Sequence, residues 1–479
     1  MLSFRSKAVN LVCNSMFKSS RSPKKNYASN LDYTYKKAKQ SQKPSFWLMI
    51  LAIPVSILLL ELSARLYLSL MGNPSAKNSP VSQAYQLKFL TENQRPIKGL
   101  TNSGELVVNR SLTNTYELQP SQKNEFWIIN EQGFRDNDPL PLAKPNGEIR
   151  IFLLGSSLAF GSGVKNNSET VSHQLESLFK QRVATQKKSP GKYRPDVFPF
   201  FQPSREKLLK LPPKIRSGNY RVINAAVPGY TSGNQLAQYA LNLFRYQPDL
   251  LIILDGYEEL MLSSDRQQAD IPYLSQLLEN PAQHWQQSLN HSLQEQWNHL
   301  GLVRLFQVQF ATETPSRRQE LTLNISEKPL EAHLSSDEAE LNQRISRYRN
   351  NYQQLIRLAA AVNLPLILAI QPEITGLAAD KLSPADRKIQ QDLEKKYLAQ
   401  MPNHYQQLLA ANQQLAKQYP ANVKAVNLYS LKAPKSATTF VDAIHLTKEG
   451  NQALTQALYQ QIIAWPKMQV IPENFYLKE

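Results

Sequence analysis

The chain has 479 residues, 42% apolar and 19% charged, which suits a globular chain of one large or a few smaller domains and excludes a disordered or collagen-like one. Its single cysteine, Cys13, excludes an intramolecular disulfide framework and a thiolate zinc site. The net charge of +17 sits in two places: residues 1–45 carry ten Lys/Arg against one acid, and residues 182–219 carry ten against two. The rest of the chain is neutral, so a basic nucleic-acid surface along the whole fold is not expected.

The basic segment 1–45 precedes Phe46 to Leu60, fifteen residues without a charge. Leu62 to Leu70 prolongs the apolar run past Glu61 and Arg65, which stand four apart and can pair on one helix face. The stretch 46–70 reaches the ~20 residues that a bilayer core requires. Phe46, Trp47 and Tyr67 suit interfacial aromatic belts. A core helix would not follow so long a polar lead, and a cleaved signal would have a shorter one. The expectation is therefore an uncleaved transmembrane signal anchor that contacts membrane lipid. By the positive-inside rule residues 1–45 form a cytoplasmic tail and the remainder lies outside, so the protein is expected in the cell membrane.

Residues 71–148 are polar with short apolar pieces and read as a linker and packing segment. From residue 149 to about 465, strands and helices alternate. Short buried strands are predicted at 149–154, 220–225, 249–254, 365–370 and 422–428. Helices are predicted from about Glu169, over 235–246, over 384–418 with a break near Pro402, and over 448–463. Ser335 to Glu338 fits a capping box for another, with Ile345, Tyr348, Tyr352, Leu355 and Val362 on its face. Alternation of this kind implies a parallel sheet covered by helices on both faces. Two insertions interrupt it. The basic, proline-rich 183–219 falls at the bottom of the sheet and reads as a solvated loop or as a contact for anionic lipid or polymer. The other, 259–334, leaves the top of the third strand and can wall a cleft with Trp285, Trp297 and Phe306. Residues 466–479 form a C-terminal tail.

Ligands of open parallel sheets bind beyond the carboxyl ends of the strands. The first strand exits into Gly155 to Gly163, with Ser156 and Ser157, the second into Asn224 to Thr231, with Gly229, the third into Asp255-Gly256-Tyr257-Glu258-Glu259, and the fifth leads to Asp442-Ala443-Ile444-His445-Leu446. Six of the sixteen glycines lie in or beside the first three loops, which suggests close backbone approach to a ligand. Acyl transfer needs a hydroxyl nucleophile, a base, a group that orients the base, and N–H donors for the oxyanion. Ser157, His445 and Asp442 can fill the first three roles, and the N–H groups of Ser157 and Gly229 can supply donors. The histidines show no metal-ligand spacing, so neither metal nor other cofactor is expected.

These three blocks, in order and each after a predicted strand, resemble the SGNH/GDSL hydrolase family, with a lead-in at Ile129 to Arg135. The resemblance implies a three-layer α/β/α sandwich with a five-stranded parallel sheet of flavodoxin-like order, preceded here by the transmembrane helix. It implies Ser157 as nucleophile, Asp442 and His445 as its partners, and Gly229 as an oxyanion donor. One block departs from the family: where an asparagine amide would donate to the oxyanion, this chain has Glu258. An ionised carboxylate only accepts; a protonated one could donate. Two functions remain open. One is a membrane-anchored, extracytoplasmic serine esterase or acyltransferase acting on ester-bearing substrates such as cell-surface glycans. The other is a non-catalytic SGNH-like protein that binds a glycan or a partner.

Overall fold

The computed structural model describes residues 55–56, 59–63, 80–91, 94–96, 102–111, 114–264, 329–431 and 437–475. Most of the expected membrane segment 46–70 lies outside them, as do Trp285, Trp297 and Phe306. Residues 55–56 and 59–62 belong to a unit separate from Ser63–Glu479; they are helical, and Val55, Leu59, Leu60 and Leu62 have exposed side chains. Among the described residues no helix is long and apolar enough to cross a membrane.

The main unit is built on five parallel strands, β6 (Glu148–Gly155), β7 (Asn219–Asn224), β8 (Leu250–Asp255), β9 (Leu366–Ile370) and β10 (Val423–Asn427), numbered after five short strands introduced below. Their spatial order is β10-β9-β8-β6-β7. The three central strands are apolar and almost wholly buried, as a sheet covered on both faces requires, whereas the edge strands β7 and β10 keep half-buried or exposed positions. Helices Val171–Lys188 and Lys448–Ile463 pack together on one face. On the other, Glu338–Ala361 packs against both Ser232–Gln238 and Lys395–Gln418. The sandwich therefore has three layers, as the alternation of elements implied.

The helix boundaries differ from expectation in instructive ways. The helix at 235–246 begins earlier, at Ser232, because Thr231 and Asn234 form a reciprocal capping box, and it continues through a π turn and a 3₁₀ turn to Tyr246. Asp337, rather than the serines before it, caps Glu338–Ala361 by accepting from the Glu340 N–H at 2.9 Å. Ser335 instead turns inward to His404. Val362 ends that helix and is half exposed. The break expected at Pro402 falls at Leu393 and Glu394, both extended, and Pro402 is carried inside Lys395–Gln418.

Residues 80–148 are more than a linker. A helix, Pro80–Tyr85, leads into β1 (Leu87–Leu90), β2 (Leu106–Ser111) and β3 (Thr115–Leu118), which form one small mixed sheet. The pair β4 (Gln122–Lys123) and β5 (Ile128–Ile129) follows. Their apolar side chains, Phe89, Tyr116, Trp127 and Phe134 among them, join the core of the main sheet. The polar positions that suggested a linker are the solvent sides of these strands. The insertion 183–219 is likewise not a plain loop. Its first residues extend the preceding helix to Lys188, and Gln202–Leu209 is a helix of its own. The expected tail packs back on it through Val470 N–H to Lys214 O at 2.8 Å and a bridge between Ile215 and Gln469.

Candidate functional site

In this strand order the connections reverse direction between β6 and β8, so the crevice for a ligand opens where those two strands end. Ser157 follows β6 and Glu258 follows β8, one on each side of it. Gly155 ends β6 with φ +152°, and a Cβ there would meet the Leu254 carbonyl oxygen at 2.2 Å and the Ala159 Cβ at 2.6 Å. Its glycine is therefore required by the neighbouring strand and by the short helix Ser157–Phe160, not by approach to a ligand. Gly256 (φ +137°) makes the equivalent turn after β8, against Leu408.

The loop after Ser157 is clamped from the lead-in segment. Arg135 is buried, and its guanidinium donates to Phe160 O, Gly161 O, Asn167 Oδ1, Tyr85 Oη and Phe126 O at 2.8–3.0 Å. The five N–H groups are thereby met by neutral oxygens. Ser156, fully buried, accepts from the Gly229 N–H at 2.8 Å. The Gly229 donor expected for an oxyanion is thus engaged by the side chain next to the nucleophile candidate, a role for Ser156 that the sequence did not suggest.

The Ser157 hydroxyl donates to Glu258 Oε1 at 3.1 Å. Glu258 is buried, and its second oxygen, Oε2, has no hydrogen-bond partner among the described residues. Burial lifts this carboxyl above its usual range, against the opposing pull of the Ser156 and Ser157 hydroxyls and of His445. Its neighbour Glu259 points elsewhere. It is fully buried, pairs with Arg347 at 2.7 Å and accepts from the Ser232 N–H at 3.0 Å, tying the exit of β8 to two helices.

His445 Nδ1 lies 2.7 Å from Asp442 Oδ2. Asp442 also accepts from the N–H groups of Ile444 (2.9 Å) and His445 (2.7 Å), so the D-x-x-H spacing closes a tight turn around one carboxylate. Burial would raise the Asp442 pKa, but His445 and these N–H groups outweigh it and bring it down to about 2. An ionised Asp442 can only accept, so the proton between them resides on Nδ1 and Nε2 is left as an acceptor. That Nε2 is buried and has no partner among the described residues. Burial would lower the His445 pKa, yet the charges of Asp442 and, next, Glu258 leave it raised. Ser157, Glu258, His445 and Asp442 thus share one site: Glu258 bonds the serine and is felt by the histidine.

Further polar groups at this end of the sheet were not legible as site residues. Asp255, at the end of β8, is buried, bonds Gln235 and Tyr352, and has its pKa pushed up by burial and then by Glu258. Glu373, after β9, is buried and accepts from Tyr397 and Thr375; burial lifts it to about 7. The signal available was an acid at the end of the third apolar run, Asp255, and one just past the fourth, Glu373, where a parallel sheet presents its ligand crevice.

Residues 321–458 match the model of the family described as GDSL-like Lipase/Acylhydrolase. The matched region contains Asp442 and His445 and begins after Ser157, Gly229 and Glu258. Comparison with curated proteins finds no match. Among solved structures the chain is similar to a lipase/acylhydrolase from Enterococcus faecalis, at 12% identity and TM-score 0.32, covering 66% of this chain and 95% of that one. It is also similar to an acetylxylan esterase from Geobacillus stearothermophilus, at 12% identity and TM-score 0.31, covering 67% and 96%. A third is the psychrotrophic esterase EstA from a Pseudoalteromonas species, at 13% identity and TM-score 0.29, covering 66% and 97%.

Proposed function

We propose that this chain, an SGNH/GDSL-type acylhydrolase, is a serine esterase or acyltransferase held in the cell membrane by residues 46–70, with its N-terminus in the cytoplasm and its site outside. The observation that carries the catalytic part is the Asp442–His445 bond at 2.7 Å, which leaves Nε2 as a buried acceptor on an imidazole that feels the charge of Glu258, the partner of Ser157.

In this reading Ser157 Oγ turns from Glu258 to His445 Nε2 when an ester binds. His445 takes the proton as Oγ attacks the acyl carbon. Asp442 holds the imidazole in the correct tautomer and stabilises the imidazolium that forms. The negative charge on the attacked oxygen meets the N–H groups of Ser157 and Gly229, the latter now shared with Ser156. Glu258, in its protonated form, donates from Oε2 and so replaces the amide that the family pattern has there. His445 then returns its proton to the departing alcohol. Water or an acceptor hydroxyl, activated by the same Nε2, releases the acyl group from Ser157.

The substrate class proposed is acyl esters of cell-surface glycans, which follows from placing the domain outside the membrane. Turnover of a small acetyl ester by the full chain in detergent, compared with Ser157→Ala, tests the catalytic reading. A folded parent protein with no turnover and no serine labelling would favour the binding-protein alternative, for which the Ser157–Glu258 bond is the observation to cite.

A further inference from the structure

The segment 197–210 presents an apolar knuckle among lysines. Val197, Phe200 and Phe201 are 54%, 80% and 68% exposed, while Phe198 between them is buried. Scattered exposed apolar residues need no explanation, but three within five positions form a patch. The knuckle is held from behind. Phe198 N–H donates to Asn474 Oδ1 at 2.8 Å, and Asn474 Nδ2 donates back to Phe198 O at 2.6 Å. Arg205 donates to the carbonyls of Asn474 and Phe475, with its guanidinium 5.7 Å from the Phe198 ring centroid. With Phe198 fixed in this way, the rings of Phe200 and Phe201 are kept outside the core.

The surrounding charge is predominantly positive. Lys187, Lys188, Lys192, Lys207 and Lys210 are exposed, and none pairs with an acid among the described residues. Arg194 donates through its backbone to Pro212 O and through Nε to the carbonyls of Leu209 and Leu211, which brings the first lysine run beside the end of Gln202–Leu209. Of the acids around the knuckle, Asp196 is taken up by Lys214 at 2.9 Å, and the exposed Glu473 stands against it, donating its backbone N–H to Asp196 O at 3.1 Å. Glu206 accepts from Gln202. The segment joins the end of Val171–Lys188 to the start of β7, so it lies at the amino ends of the strands, opposite Ser157.

We propose that this knuckle is a docking surface for anionic lipid, with Phe200 and Phe201 entering the acyl boundary and the lysines lying at headgroup level. A soluble polyanion would neutralise the lysines but leave the rings in water. A second copy of the chain would set the same positive segment against itself. An anionic bilayer surface satisfies both parts of the patch at once. Docked this way, the domain keeps the carboxyl edge of its sheet, and Ser157 with it, turned away from the lipid.

The test uses the full chain with Cys13→Ser and a spin label at Phe200→Cys, reconstituted into vesicles of phosphatidylcholine alone or mixed with phosphatidylglycerol. Because Phe200 is 80% exposed, its replacement leaves the fold intact. A second label at Val441→Cys, in the turn that holds His445, reports the opposite edge. In anionic vesicles the label at 200 becomes accessible to oxygen and shielded from a water-soluble nickel complex, while the label at 441 stays aqueous. Lys207→Glu with Lys210→Glu weakens that insertion by about ten-fold or more. A label at 200 that is equally aqueous in both vesicles overturns the proposal. So does protection of the lysines by dextran sulfate without insertion on vesicles, which would assign the patch to a polymer. Dimerisation in detergent that is lost in Phe200→Ser would assign it to a second copy and overturn the proposal equally.

Discussion

Ser157 Oγ donates to Glu258 Oε1 at 3.1 Å, while His445 Nε2 stands buried without a partner among the described residues. The serine is therefore bonded to a side chain that departs from the family pattern, and two polar atoms, Glu258 Oε2 and His445 Nε2, are left for a substrate to engage. Each of them titrates, so the site's protonation decides whether it works.

The pH profile follows from the two raised pKa values. His445 must be neutral to act as base, and its pKa lies above the usual value, so activity falls on the acid side from a higher pH than an unperturbed histidine would set. Glu258 must be protonated to donate, and its pKa lies above the usual carboxyl range, so activity falls again as pH rises through it. The parent protein is expected to show a narrow bell of kcat/KM against pH. Glu258→Gln has the same shape and carries a donor at every pH. It should remove the alkaline limb and raise kcat/KM on that limb by about ten-fold or more, a fraction of what one oxyanion donor is worth. A Gln variant slower than the parent across the whole range would show that the carboxylate has a different role.

Glu259, one residue on, should behave in the opposite way. It is fully buried against Arg347, and Glu259→Gln leaves that guanidinium without its counter-charge. Removing one member of such a pair is expected to reduce unfolding free energy by about 3–5 kcal/mol. Urea denaturation of the two variants separates the neighbours: a lower midpoint for Glu259→Gln, and little change for Glu258→Gln. Equal midpoints for Glu259→Gln and parent would refute the clamp.

Stability should also carry the signature of Glu373. Its carboxyl is raised from 4.5 to about 7 by burial, so the folded state holds this proton where the unfolded state has released it. Its contribution is therefore complete below about pH 4.5 and is lost as pH rises through 7, by about 3 kcal/mol in all. Glu373→Gln keeps the hydrogen-bonding shape without the titration. Its denaturation midpoint should vary less than the parent's between pH 5 and 8, and identical pH dependence in both would contradict the assignment.

The five strands, the layers and the exits that carry Ser157, Asp442 and His445 were legible because apolar runs and turn residues alternate along the chain, whereas the flavodoxin-like arrangement rested on the family resemblance. What escaped were contacts between segments distant in sequence. The bond from Gly229 to Ser156 spans 73 residues, and the Tyr116 hydroxyl reaches Pro228 O across 112. Residues 80–148 looked like a linker because short strands with one wet side resemble polar coil until their partners are known. The break expected at Pro402 failed for a local reason: Leu393 and Glu394 adopt extended backbone nine and eight residues earlier, and the helix that starts at Lys395 accommodates the proline.

Topology is open to a direct measurement. With residues 1–45 cytoplasmic and 46–70 spanning the membrane, alkaline phosphatase fused after Glu479 is expected to be active and a cytoplasm-dependent reporter inactive. The reverse result would remove the extracytoplasmic substrate from the account.

Covalent labelling by a serine-reactive phosphonate tests the central claim most directly. The account predicts one adduct, on Ser157 by peptide mass, absent in Ser157→Ala and in His445→Ala, and slowed in Asp442→Asn, a change that costs about 10⁴ in a serine protease. An adduct that persists in folded Ser157→Ala, or a folded parent protein that is never labelled within its pH window, would contradict it.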